Sequence, residues 1–412
     1  MQKIYVVGVG MTSMGKMEDC TVKSLTNEAV TDAITDAGLS QSDVQSAYFS
    51  NATQGHMEGQ SMVPGEIALR DMGFERIPMM NVENACASGS SAFNLATQFL
   101  KAEEGDVALA VGAEKMFSTD RERMFSVFDA AWDVSKTEES QANLMKLGAG
   151  VEVPEGTTSN KPYSLFMDIY AAFCRYHMNR FGTTQRQIAA ISAKNHTHSV
   201  HNEKSQYRMA YSIDDIMTAP PITYPLTLPM CAPISDGGAA TILASESGLK
   251  RLGIDKSRAV EVKASIIQTG SNRGIDDIEH HATALASKRA YERAGLGPND
   301  MDVAEVHDAT AMGEVIQSEN LGFFEFGDAG PAAERGDTTI GGRIPINPSG
   351  GLESKGHPIG ATGLGQIYEL TSQLRGECGA RQVEGARHAI AENGGGLYGI
   401  EEAVASIIIL GK

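Results

Sequence analysis

Cysteine is scarce in this chain: five residues among 412, at positions 20, 86, 174, 231 and 378, an odd number with no CxxC spacing. That scatter excludes a disulfide framework and a cysteine-based zinc motif, and a reducing cytoplasmic compartment is the natural expectation. Basic residues are also few. Against 52 Asp and Glu stand 34 Lys and Arg, a formal charge of -18, so the clustered cations that hold a nucleic-acid backbone or an anionic bilayer are missing. A small anionic cofactor stays possible, because backbone amides and a few local basic groups serve a phosphate. No apolar run approaches the ~20 residues of a membrane helix, so membrane insertion is not expected. The opening run Met1 to Gly10 reads as a strand entering a glycine turn rather than as a signal peptide. Its Gly8-Val9-Gly10 lacks the third glycine and the apolar helix of a dinucleotide fingerprint.

What is present describes a folded protein larger than one ordinary domain, with 42% hydrophobic and 21% charged residues. The chain also repeats itself. Ala29 to Leu39 reappears in outline as Ala286 to Leu296, and the register continues without a gap from Asp43 and Asn51-Ala52-Thr53 to Asp300 and Asp308-Ala309-Thr310. Each copy reads as an alanine-rich helix, an Ala-Gly-Leu cap, a strand (44–50 and 303–307) and a small-residue loop. Alternating helices and strands imply an α/β fold in two similar halves, 1–255 and 256–412. Residues 116–230 have no counterpart in the second half and read as an inserted loop subdomain of the kind that walls a substrate pocket. The histidines within it, His196, His198 and His201, read as a solvated polar segment rather than a metal site, and no metal is expected.

Three residues stand out for chemistry. Cys86 lies in Asn84-Ala85-Cys86-Ala87-Ser88-Gly89, between a short buried strand expected over 77–82 and a helix over 90–100. A thiol at a helix N-terminus is favoured as thiolate, below its usual pKa of ~8.5; the plainer reading is a small packing residue. His307 ends an apolar strand at the carboxyl edge where α/β sheets place ligands. His357 lies among glycines in Asn347-Pro348-Ser349-Gly350-Gly351 and Gly356-His357-Pro358, which suits close approach of a ligand or a tight structural turn. A last glycine run, Gly394-Gly395-Gly396, offers amides for an oxyanion.

These motifs, with Ser235-Asp236-Gly237-Gly238 and Val111-Gly112-Ala113-Glu114-Lys115-Met116 between them, resemble the thiolase superfamily in their order along the whole chain. Asn195-His196 and His307-Asp308 are most similar to its sterol-carrier-protein type, also called lipid-transfer type. The resemblance implies two βαβαβαββ halves in a five-layered α-β-α-β-α arrangement. It implies that Cys86 takes an acyl group from coenzyme A, that His357 activates it, and that His307 joins His357 at the thioester oxygen. The second oxyanion site would combine the Cys86 N–H with an amide of Gly394, Gly395 or Gly396. No tightly bound cofactor is implied beyond the coenzyme A thioester as substrate. A homodimer or homotetramer is implied, and some relatives add a small zinc-ribbon and OB-fold partner subunit.

The chain departs from that pattern at the second cysteine. Where the sterol-carrier type has it, this chain has Ala309; where other thiolases have it, this chain offers Glu392 or Asn393. Cys231 and Cys378 lie at neither position. Acyl transfer through Cys86, in thiolysis, Claisen condensation or C-acylation, is the expected activity. The alternatives are a retro-aldolase acting on a side-chain acyl-CoA, with Tyr398 as its candidate residue, and a non-catalytic acyl-CoA or lipid-binding protein.

Overall fold

The computed structural model describes residues 2–412 and is organised by one nine-stranded sheet. In chain order its strands are β1 (Ile4–Met11), β2 (Ser46–Ser50), β3 (Met79–Val82), β4 (Val107–Glu114), β5 (Gly237–Ser245), β6 (Val260–Thr269), β7 (Val303–Glu305), β8 (His388–Tyr398) and β9 (Glu401–Gly411). Their spatial order is β3-β2-β4-β5-β1-β6-β9-β8-β7. The sequence repeat becomes visible in that order. The run β3-β2-β4-β5-β1 is mirrored by β7-β8-β9-β6, with Ile346 bridging Ala304 in parallel where a fifth strand would stand. Two antiparallel pairs, Tyr5 with Glu261 and Val6 with Val260, join the two runs.

The strands assign their residues to layers by the period of two. Ile4 and Val6 of β1 and Ile408 and Leu410 of β9 share one core. Tyr5 and Val7 face a second, and Ile407 and Ile409 a third. Two helices fill the shared central core: α2 (Ser88–Lys101), through Phe93, Ala96 and Leu100, and α7 (Thr362–Arg375), through Leu364, Ile367 and Leu370. Outside the β1–β5 run lies α1 (Val22–Ala37); outside the β6–β9 run lie α3 (Leu165–Phe181), α4 (Gln185–Ser199), α5 (Ala282–Ala294) and α6 (Ala311–Asn320), so that the two halves of the one sheet form two layers. Helix, sheet, helix, sheet, helix is therefore the layering.

The repeated Ala-Gly-Leu caps are real helix ends, with Gly38 at φ +65° and Gly295 at φ +68° after α1 and α5. Gly8 and Gly10 serve packing: a Cβ on Gly8 would lie 2.2 Å from the Ala33 carbonyl of α1. Two expectations fail. The strand over 77–82 is not buried; β3 is a sheet edge, with Met80 and Asn81 exposed. The segment carrying His196 and His198 is not a solvated surface, because Ile188 and Ile191 of α4 and Tyr170 and Cys174 of α3 belong to an outer core. His196 and His198 are consequently buried on α4, and only His201 is exposed.

Candidate functional site

Cys86 occupies a strained turn between β3 and α2. Ala85 before it has φ +48°, a left-handed conformation that costs a residue with a Cβ about 1–2 kcal/mol. Local bonds hold it there. The Ala85 N–H donates to Glu83 Oε1 (2.6 Å), Ala87 N–H to the Asn84 carbonyl (3.0 Å), Asn84 N–H to Ser88 Oγ (2.8 Å), and Ser88 Oγ–H to the Ala85 carbonyl (2.6 Å). Strand β8 runs hard against this turn. A Cβ on Gly395 would lie 2.2 Å from the Asn84 carbonyl oxygen and 2.8 Å from the Ala87 nitrogen, so only glycine fits there.

His357 stands between Gly356, at φ +121°, and Pro358. Its backbone N–H donates to Ser235 Oγ at 3.0 Å, which gives the Ser235-Asp236 motif a place in the site. Its Nδ1 lies 2.7 Å from Thr362 Oγ1, and that hydroxyl donates to the Pro358 carbonyl at 3.0 Å. With the hydroxyl proton so engaged, Thr362 accepts from Nδ1–H, and the ring lone pair is left on Nε2. Below, the Gly360 N–H donates to Glu114 Oε2 (2.9 Å), whose carboxylate also accepts from Ala52 and Thr53. Glu114 thus ties the β4 end to the loop beyond His357.

His307 follows β7, which ends two residues earlier than the sequence pattern suggests. Its backbone N–H donates to Glu392 Oε2 at 2.9 Å, while both ring nitrogens are buried without a partner. The ring centroids of His307 and His357 are 5.2 Å apart. Ligand atoms of Cys86, His307 and His357 all lie within 4.8 Å of one another. A buried polar knot fixes this arrangement: Asp308 accepts from Leu352 N–H (2.8 Å) and Asn195 Nδ2 (3.1 Å), and Asn347 bonds Val306 N–H and Glu314. It joins the His307 segment to the loop that carries His357.

The electrostatics correct one expectation. Cys86 keeps some exposed surface, yet its thiol is pushed up to about 12, first by burial and then by the charges of Glu114 and Glu83. The opposing pull comes from two donors, the N–H groups of Cys86 and Gly396. The helix end therefore does not yield a resting thiolate; desolvation outweighs it. Burial also pushes His307 down to about 4, and burial with His307 and Lys355 nearby pushes His357 well below the usual histidine range. At neutral pH the three groups are a neutral thiol and two neutral imidazoles.

Of the other sequence candidates, Glu392 is fully buried, and burial followed by the charge of Glu402 drives its carboxyl well above the usual range. Its Oε1 has no partner. Asn393 points to the other face, where its Oδ1 accepts from Ser90 Oγ at 3.0 Å, away from His307. Gly394 packs between His307 and Glu402: a Cβ there would lie 3.2 Å from His307 Nδ1 and 2.6 Å from Glu402 Cγ. Tyr398 is 61% exposed at the hairpin end. Thr362 lies five residues after His357, but nothing in its spacing marks it as a partner. Tyr170 carries no sequence signal at all; burial, then the charge of Glu402, pushes its hydroxyl well above the usual range, and it lines an aromatic cavity of about 70 Å³ with Phe173, Phe181 and Glu402.

Comparison with known proteins gives the family. Residues 4–210 match the family model "Thiolase, N-terminal domain", and residues 265–412 match "Thiolase C-terminal domain-like". The chain is 36% identical to "Non-specific lipid-transfer protein-like 2" of Caenorhabditis elegans, over 97% of this chain and 95% of that one. It is likewise 36% identical to "Acetyl-CoA acetyltransferase" of Methanothermobacter thermautotrophicus, over 97% and 98% of the two chains. A solved structure described as "Ltp2-ChsH2(DUF35) aldolase" superposes with a TM-score of 0.78 at 21% identity, covering 99% of this chain and 97% of the other, and so shares the fold. The chain belongs to the thiolase family and resembles its sterol-carrier and lipid-transfer members.

Proposed function

We propose that this protein transfers acyl groups from coenzyme A thioesters through an acyl-Cys86 intermediate. The observation that carries the reading is the convergence of Cys86 with His307 and with a His357 whose Nε2 is left as the acceptor by Thr362. His357 Nε2 takes the Cys86 proton as the sulfur attacks the thioester carbonyl. The N–H groups of Cys86 and Gly396, which already favour negative charge at the sulfur, receive the developing oxyanion. The departing coenzyme A thiolate then recovers the proton from His357. In the second half-reaction the acceptor's carbonyl oxygen faces His307 and His357.

Glu392 supplies a candidate proton donor. A carboxyl kept protonated by burial, with Oε1 free, is an acid rather than a base. It suits delivery of a proton to the carbanion that leaves when a 3-ketoacyl-CoA is cleaved, the role taken by the second cysteine elsewhere. The same group, as carboxylate, would take the α-proton in the reverse reaction, Claisen condensation, so Glu392 serves either direction. The retro-aldolase reading loses its sequence candidate, since Tyr398 is exposed. The exposed edge strand β3 fits the proposed homodimer or homotetramer.

The test is intact-protein mass spectrometry of wild type and Cys86→Ser after brief exposure to a panel of acyl-CoA thioesters. One acyl adduct on wild type alone is the expected result. Absence of an adduct with every donor overturns the acyl-enzyme reading in favour of a binding protein.

A further inference from the structure

The three groups assembled for acyl transfer also have the composition of a transition-metal site. We propose that, in the absence of thioester, Cys86, His307 and His357 bind one thiophilic divalent cation of the zinc class, which reversibly blocks the enzyme. Thiolate and imidazole are both tetrahedral zinc ligands, and three protein donors leave a fourth position for water. Bonds of ~2.3 Å to sulfur and ~2.0–2.1 Å to nitrogen place such donor atoms ~3.3–3.6 Å apart. The observed triad, all within 4.8 Å, needs only small side-chain adjustments to reach that spacing.

Two further observations point to a cation. His307 is 4% exposed, yet neither ring nitrogen has a partner, so a buried donor set is incomplete as it stands. His357 already has what zinc-ligating histidines usually have, an outer partner on the other nitrogen, here Thr362 at 2.7 Å.

Binding is a ligand exchange without electron transfer. The metal forms bonds to Cys86 Sγ, His357 Nε2 and one His307 nitrogen, it sheds water, and the thiol proton passes to solvent. The sulfur lone pair and the His357 lone pair are then both occupied, so acylation stops until a chelator removes the ion.

Cobalt(II) provides a readout independent of turnover. Titrated into the metal-free, reduced protein, it is expected to give one equivalent of a sulfur-to-cobalt charge-transfer band with tetrahedral visible bands, both removed by zinc. Cys86→Ser is expected to lose the charge-transfer band. His307→Asn is expected to bind at least ~10-fold more weakly, since even outer-shell losses cost ~10–100-fold. Cys20→Ser, which alters a thiol outside the three-donor set, is expected to titrate as wild type. Thermal melts of each variant establish that it is folded. A wild-type protein without the band, or a folded Cys86→Ser variant with it, overturns the proposal, whether or not an acyl adduct forms.

Discussion

His357 donates its Nδ1–H to the Thr362 hydroxyl across 2.7 Å, and that hydroxyl donates in turn to the Pro358 carbonyl. A helix-start threonine thus does the orienting work that a buried carboxylate does in many triads, without adding a charge. Replacing it by Thr362→Val frees the ring to hold its proton on Nε2, where it cannot accept from Cys86. Loading of Cys86 is expected to slow by about 100-fold, whereas Thr362→Ser is expected to load near the wild-type rate. Rapid-quench mass spectrometry measures both; equal rates for Val and wild type would show that the tautomer is set elsewhere.

Gly395→Ala is expected to abolish loading and to lower the melting temperature. Its methyl group would sit 2.2 Å from the Asn84 carbonyl, so either β8 or the Cys86 turn must move. Gly15→Ala, where a Cβ meets nothing within 4 Å, is the control and is expected to load normally. Normal loading by Gly395→Ala would mean that the turn shifts without consequence.

Glu392→Gln separates the two half-reactions. The amide preserves the bond accepted from His307 N–H but has no acidic proton, so cleavage of a 3-ketoacyl-CoA is expected to fall by about 100-fold or more. Acyl adduct formation from acetyl-CoA is expected to persist. Loss of both would recast Glu392 as a support for His307.

Acid is expected to destabilise the fold in a window set partly by His198. Its Nδ1–H donates to the Asn347 carbonyl and its Nε2 accepts the Ile340 N–H, so the buried ring works only when neutral. Burial, then Lys194, pushes it down to about 3. The unfolded chain takes up a proton near ~6.5. Stability is thus full above that value and declines as pH falls toward 3, by up to ~1.4 kcal/mol per pH unit for one proton. Denaturation of His198→Gln across pH 4 to 7 is expected to show a shallower slope; an unchanged slope would point to other groups.

Glu353 acts at the other end. Burial raises its carboxyl to about 8 in the cluster with Asn195, Glu314 and Lys194. Because the folded pKa lies above the unfolded one, its contribution is present below ~4.5 and is lost as pH rises to about 8. Glu353→Gln is expected to flatten the alkaline limb of the stability profile, read by melting temperature from pH 5 to 9. A limb as steep as that of wild type would place the titration elsewhere in the cluster.

Much of this was readable in the chain itself. The alanine periodicity and the Gly38 and Gly295 caps determined two helices, and their repetition determined two related halves, because local propensity and left-handed glycine are properties of the chain. Cys86, His307 and His357 were named by glycine context and motif order. What only the tertiary structure decided is how far each group is desolvated and what it touches. The helix start beside Cys86 suggested a thiolate, but burial beneath β8 and the charge of Glu114 keep the thiol neutral. His196 and His198 read as polar surface until α4 packed them against an outer core. Glu392 and Asn393, adjacent in sequence, face opposite sides of β8, one to His307 and the other to Ser90. Sequence carries periodicity and local turns; dielectric, partner and facing depend on elements far apart in the chain, and those fix the chemistry.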